Sequence, residues 1–299
     1  MTVSAAAADA GGPNARRRCV LVFSGADPSG GAGIAADILA IRAQGAHALP
    51  VITALTVQDN DRVYEVLPVE PDVVLRQARA LAARVTVDAV KIGIPGSAAN
   101  ARAIAQVIAE LRAELRAGAG DTLPVVLDPV LASGHGDLLS RGDAVQALAA
   151  LLPLVTLITP NGPEALALAR TGSTAEAADA AAGAAESPAG ADADSQRAAR
   201  VLLGQGCRHV LVTGGHGGGD TVINRWFSAA PTPGQERAWH WARLPGEFHG
   251  SGCTLAAAAA GLLAQGVPMQ QALARAQDYT HGALAAAFAI APGQRIPQR

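Results

Sequence analysis

The run His249-Gly250-Ser251-Gly252-Cys253-Thr254 sets two glycines and a cysteine at the mouth of an alanine-rich helical stretch. Backbone N–H groups of Gly250, Ser251 and Gly252 at such a helix start form a cradle for the charge on a transferring phosphoryl group. A cysteine at the positive end of a helix dipole has a lowered pKa, so Cys253 is expected as a thiolate that accepts a proton from an attacking hydroxyl. Taken alone, Cys253 also reads as a small residue packing the helix start. Cys19, within a strand pattern, and Cys207, just before one, have only that packing role.

Further candidates sit in turns that follow short apolar runs. Ser24-Gly25-Ala26-Asp27-Pro28-Ser29-Gly30-Gly31-Ala32-Gly33 holds four glycines in ten residues and opens the helix carrying Asp37. It allows close backbone approach to a polar ligand, or is a tight turn capped by Asp27 or Ser29. It is neither a dinucleotide fingerprint nor a P-loop, since no Gly-Lys-Ser/Thr follows. Gln58 presents a planar donor–acceptor pair that matches an amino group beside a ring nitrogen, and otherwise reads as a solvated loop residue. Lys91, inside a strand, is expected to pair with a carboxylate, and Ile94 to line a pocket. Asp128 with Asn161 and Glu164 offers oxygen ligands for a magnesium ion that also carries nucleotide phosphates, although Asn161 and Glu164 equally read as a helix cap. Thr213-Gly214-Gly215-His216 offers close backbone approach to nucleotide phosphates. His216 and His249 lie at ligand-facing turns, but their spacing suggests no metal cluster.

These turns must be held by a scaffold. Apolar, β-branched runs at residues 19–23, 48–55, 89–92, 124–127, 156–158 and 209–212 predict buried strands. Helical patterns lie between them at 33–44, 72–83, 98–116, 142–151 and 196–205, with two more at 254–263 and 269–287. Strand and helix in alternation predict an α/β fold with a mostly parallel sheet covered on both faces, whose ligands gather at the carboxyl ends of the strands. Residues 1–17 read as a disordered tail, 18–299 as one domain, and 171–195 as an Ala/Gly-rich surface excursion with weak helical tendency.

Composition excludes several classes. The 299 residues carry 23 basic and 25 acidic side chains, a net charge of −2 that gives no surplus to bind a nucleic-acid backbone or an anionic membrane. Three widely spaced cysteines specify neither a disulfide framework nor a CxxC metal site, which fits a reducing cytoplasm. The apolar run after Arg16-Arg17-Arg18 is too short for a signal-peptide core, and no stretch is long and apolar enough to span a bilayer.

In combination, order and spacing, the motifs Gly25-Ala26-Asp27-Pro28-Ser29-Gly30-Gly31-Ala32-Gly33 with Asp37, Thr56-Val57-Gln58, Lys91-Ile92-Gly93, Leu127-Asp128-Pro129-Val130, Thr159-Pro160-Asn161 with Glu164, and Gly250-Ser251-Gly252-Cys253-Thr254 resemble the hydroxymethylpyrimidine/phosphomethylpyrimidine kinases of thiamine biosynthesis. The resemblance implies a ribokinase-like three-layer α/β/α fold, a homodimer, and ATP with Mg2+ as the phosphoryl donor. It implies two successive phosphorylations at one site, first of 4-amino-5-hydroxymethyl-2-methylpyrimidine and then of its monophosphate. Gly25, Asp37, Gln58, Ile94, Val130 and Cys253 would surround the pyrimidine; Asn161, Thr213 and Gly215 would serve the nucleotide, and Asp128 and Glu164 the metal. The sequence departs from the family pattern at Ile94-Pro95, where methionine and leucine are common, at Ser251, usually threonine, and after Val130, where the loop is one residue shorter and lacks a lysine. The competing readings are a pyridoxal or pyridoxine kinase of vitamin B6 salvage and, from another class, a non-catalytic pyrimidine-binding module.

Overall fold

The computed structural model describes residues 16–117, 123–131, 144–172, 188–229 and 235–299. Among the described residues nine strands form one sheet: β1 (Cys19–Ala26), β2 (His47–Gln58), β3 (Val63–Pro68), β4 (Ala89–Ile92), β5 (Val125–Leu127), β6 (Leu157–Ile158), β7 (His209–Val212), β8 (Thr221–Ser228) and β9 (Gln235–Ala242), in the order β3-β2-β1-β4-β5-β6-β7-β8-β9. The interior strands pair in parallel, whereas β3 at one edge and β8 and β9 at the other are antiparallel.

The pleat explains why the parallel strands read as unbroken apolar runs. Along β1, Cys19, Leu21 and Phe23 enter one hydrophobic cluster while Val20 and Val22 enter the other, so every side chain is buried. The first cluster is covered by α2 (Pro71–Ala82), α3 (Ala98–Ala117), α4 (Ala144–Ala149), α5 (Gly162–Ala169) and α6 (Pro188–Gly204). The second is covered by α1 (Gly33–Ala43), α7 (Ser251–Ala264) and α8 (Met269–Ala285). No described helix is long and apolar enough to cross a membrane.

Three expectations need correction. Strands β3, β8 and β9 are not among the predicted runs, because their exposed and intermediate positions interrupt the apolar signal; Tyr64 of β3 is 67% exposed. Helix α6 begins at Pro188, inside the stretch read as a surface excursion, and residues 173–187 of that stretch lie outside the described residues. Residues 1–15 of the expected tail also lie outside them, but Arg16 is fixed: it and Arg18 pair with Asp88 at 2.7 and 2.8 Å, and Asp88 also accepts from the Cys19 N–H.

Helix α7 lies on the sheet with every residue from Thr254 to Ala264 buried. Its alanines let neighbours approach closely, and a side chain at Gly261 would already meet Gln44 Cβ at 3.2 Å and Ile41 Cα at 3.4 Å. Ala258→Leu, at a fully buried position, is therefore expected to lower unfolding stability by about 1–3 kcal/mol through overpacking, measured by urea denaturation.

Candidate active site

Lys91 lies in β4 beneath helices on both faces, where an unpaired ammonium is untenable. Asp37, in α1, places its carboxylate oxygens 2.9 and 3.0 Å from Lys91 Nζ, and Asp128 Oδ2, just beyond β5, lies 3.9 Å away. The Lys91 and Asp37 side chains are 0% exposed. Burial opposes the Lys91 charge, but Asp37, Cys253 and Asp128 together hold its pKa above the ordinary lysine range. The expected ion pair is present. The pyrimidine contact implied for Asp37 is not available, because its carboxylate has no exposed surface and is taken by Lys91.

Helix α7 starts at Ser251 after Gly250, whose φ of 76° is left-handed backbone that favours glycine. This turn sets Cys253 within the field of the Asp128 carboxylate, and a side chain at Gly252 would lie 3.5 Å from Asp128 Oδ1. The expected lowering of the thiol is opposed here. Burial and the Asp128 charge push the Cys253 thiol up, and Lys91 only partly opposes them. Cys19 and Cys207 are buried as expected, with burial pushing Cys207 up to about 12.

Asn161 and Glu164 form a capping box at α5: the Glu164 N–H donates to Asn161 Oδ1 at 2.9 Å, and the Asn161 N–H to Glu164 Oε2 at 2.9 Å. Capping does not exhaust Glu164. Burial, with the nearby Asp128 charge adding to it, pushes its carboxyl up to about 8 against the hydrogen bond from Asn161. Asp128 Oδ2 is buried without a hydrogen-bond partner. Two converging carboxylates, one with an unsatisfied oxygen, fit a magnesium ion that takes its remaining ligands from phosphates and water. Among the described residues no group of three or more His, Cys, Asp or Glu side chains forms a metal site.

The glycine-rich turn after β1 is organised by Asp27, which accepts from the Ser29 N–H at 2.8 Å, the Ser29 hydroxyl at 2.9 Å and the Ala32 N–H at 2.7 Å. His249 Nε2 lies 2.8 Å from the same carboxylate. Burial works against the Asp27 charge, but His249 and Ser29 outweigh it and hold the carboxyl below its ordinary value. The turn is thus tied to the cradle at the start of α7.

Beside it, Ile94 and Val130 pack with Ala54 and Val66 in a small apolar cluster. A side chain at Gly25 would lie 2.6 Å from Ile94 Cδ1, so glycine there lets Ile94 lie against β1. Gln58, half-buried at the end of β2, shares the inward side of the strand with Ala54 and Thr56, while Leu55 and Val57 are exposed. The structure therefore brings Gly25, Ile94 and Val130 together, with Gln58 half-buried at the end of β2, where the register with β3 shifts. Asn161 and Thr213 meet in a backbone bridge, whereas Gly215 is exposed beyond them and His216 stands free in solvent.

Two positions escaped the sequence reading. Asn100, fully buried, donates from Nδ2 to the carbonyls of Thr53, Val69 and Pro95 and so fixes the pocket ends of β2 and of the loop after β4. Arg299 bonds both glycine turns. Neither belongs to a motif, and no local signal marks them.

A parallel sheet with helices on both faces, a glycine-opened helix start and two carboxylates at the strand ends define a ribokinase-like kinase fold. The profile of the phosphomethylpyrimidine kinase family matches residues 27–297, and the chain belongs to that family. It is 34% identical over 279 residues to the hydroxymethylpyrimidine/phosphomethylpyrimidine kinase of Streptomyces coelicolor, covering 92% of this chain and 91% of that one. It is 36% identical to part of the thiamine biosynthesis bifunctional protein ThiED of Geobacter sulfurreducens, covering 93% of this chain and 51% of that one. The crystal structure of an ADP complex of Bacillus subtilis pyridoxal kinase shares the fold, with a TM-score of 0.74 and 23% identity over 95% of this chain and 97% of that one.

Lys91→Met, which leaves Asp37 alone in the interior, is expected to cost about 3–5 kcal/mol of unfolding free energy, and adding Asp37→Asn to recover most of it, read by chemical denaturation. For Glu164, the folded value of about 8 stands above the ordinary 4.5, so folding takes up a proton between those values and stability falls as pH rises through that window. In EDTA, melting temperatures between pH 5 and 8 should fall more steeply for the wild type than for Glu164→Gln.

Proposed function

We propose that this chain transfers the γ-phosphoryl group of ATP to the hydroxymethyl group of 4-amino-5-hydroxymethyl-2-methylpyrimidine and then to the resulting monophosphate, in thiamine biosynthesis. The observation that carries this reading is the meeting of Cys253, Asp128 and the buried Lys91 at the opened N-terminus of α7. Membership of the family and the names its relatives carry support the substrate.

Phosphoryl transfer needs positioning and charge stabilisation more than covalent chemistry from the protein. The N–H groups of Gly250, Ser251 and Gly252 would hold the oxygens of the transferring group. Gln58 would hydrogen-bond the amino group and ring nitrogen of the pyrimidine, with Gly25, Ile94 and Val130 against the ring. Asn161, Thr213 and Gly215 would receive the nucleotide. A magnesium ion held by Asp128 and Glu164 would neutralise nucleotide phosphates and, by cancelling the Asp128 charge, favour the Cys253 thiolate. A homodimer accords with the hairpin of β2 and β3, whose Leu55 and Leu67 lie opposite one another at 51% and 38% exposure.

The two steps place different demands on Cys253. A neutral alcohol must lose its proton, whereas a phosphate monoester near neutral pH already presents an ionised oxygen. In a coupled ADP-release assay, wild type should turn over both pyrimidines faster than pyridoxal, and Cys253→Ala should lose about 100-fold or more on the alcohol and less on the monophosphate. Equal losses would reduce Cys253 to shaping the pocket. Turnover of pyridoxal alone would move the assignment to vitamin B6, and binding without turnover of any of the three would indicate a pyrimidine-binding module.

A further inference from the structure

The last residues of the chain return across the reacting end of the sheet. Phe288 and Ile296 exchange backbone hydrogen bonds of 3.0 and 2.8 Å, Arg295 bonds the backbone of Glu247 and His249, and the buried Asn60 amide donates to the carbonyls of Pro292 and Gln294. This path delivers Arg299 between the two glycine turns. Its Nη2 donates to the Gly31 carbonyl at 2.6 Å and the Gly250 carbonyl at 3.3 Å, and its Nε to Thr254 Oγ1 at 2.8 Å.

Those acceptors matter because a peptide is planar and trans, so fixing a carbonyl also fixes the N–H that follows it, pointing the opposite way. The Gly250 carbonyl receives Arg299, the Thr254 N–H at 3.0 Å and the Thr254 hydroxyl at 2.8 Å, which turns the Ser251 N–H away from the helix interior. The Gly31 carbonyl is held likewise, and the Ala32 N–H opposite it reaches Asp27. The two turns touch so closely that a side chain at Gly250 would collide with the Gly31 carbonyl.

The charge is the second part of the argument. Among the described residues the Arg299 guanidinium donates to neutral oxygens, and no side-chain carboxylate forms an ion pair with it. Asp27, Asp37 and Cys253 all feel its field. An arginine that stays ionised behind an anion cradle adds a fixed positive potential where negative charge gathers.

We propose that Arg299 is a positioning residue for phosphoryl transfer, orienting the Ser251 N–H of the cradle through the Gly250 carbonyl, clamping the glycine turn after β1 through the Gly31 carbonyl, and placing its guanidinium charge behind the cradle. The proposal rests on the kinase reading above. In the full-length protein, Arg299→Gln is expected to lower kcat about 10- to 100-fold while KM for the pyrimidine and the Kd of MgADP stay within about 3-fold, with Arg299→Lys, which keeps the charge but not the fork, in between. Hydrogen–deuterium exchange should quicken at residues 248–256 and 29–34 in Arg299→Gln and not elsewhere. A kcat within about 3-fold of wild type in both variants with unchanged exchange in these segments overturns the proposal, as does exchange that quickens across the whole chain. If the wild type phosphorylates none of the substrates offered, the function assignment falls, and the localised exchange result still decides whether Arg299 orders the cradle.

Discussion

A lysine ammonium with no exposed surface stands at the centre of this structure, and the placement of the reacting groups follows from the need to neutralise it. Desolvating such a charge costs several kcal/mol after relaxation, far more than a surface ion pair returns, so Lys91 requires partners of good geometry. Asp37 supplies the close contact and Asp128 the more distant one. The three side chains come from β4, α1 and the end of β5, so one electrostatic requirement binds those elements in register. The cysteine above them inherits the same field.

That field settles the state of Cys253 against its helix. Position at the start of α7 favours a thiolate, as does Lys91, but burial and the carboxylate of Asp128 work the other way and prevail. The site thus sets a raised thiol beside an under-satisfied carboxylate, with Glu164 also displaced upward by burial and by Asp128. A cluster with this surplus of negative charge is suited to receive a cation together with phosphates, and unsuited to stand alone.

The scaffold was legible where burial is two-sided. Strands β1, β4, β5 and β7 carry mostly apolar residues on both faces because helices cover both sides of the sheet, and that pattern survives in a single sequence even with Lys91 inside β4. Strands β3, β8 and β9 mix exposed and buried positions and depend on antiparallel neighbours, so their short stretches resemble loops until the partner strand is known. The start of α6 was hidden by an Ala/Gly/Asp/Ser composition that has little apolar periodicity of its own.

The sequence by itself determined the order of parallel strands and helices, the glycine turns, the cysteine at a helix start and the carboxylates at strand ends, because each is a local pattern read over a few residues. Tertiary structure alone decided which of these groups touch. The contact of His249 with Asp27 spans 222 residues and that of Arg299 with Gly31 spans 268, separations at which no periodicity or spacing carries information. It also decided that Asp37 serves Lys91 rather than the pyrimidine, and that burial and Asp128 raise the Cys253 thiol. Both outcomes depend on burial and on charges brought together from distant parts of the chain, which are properties of the packed interior and not of any segment within it.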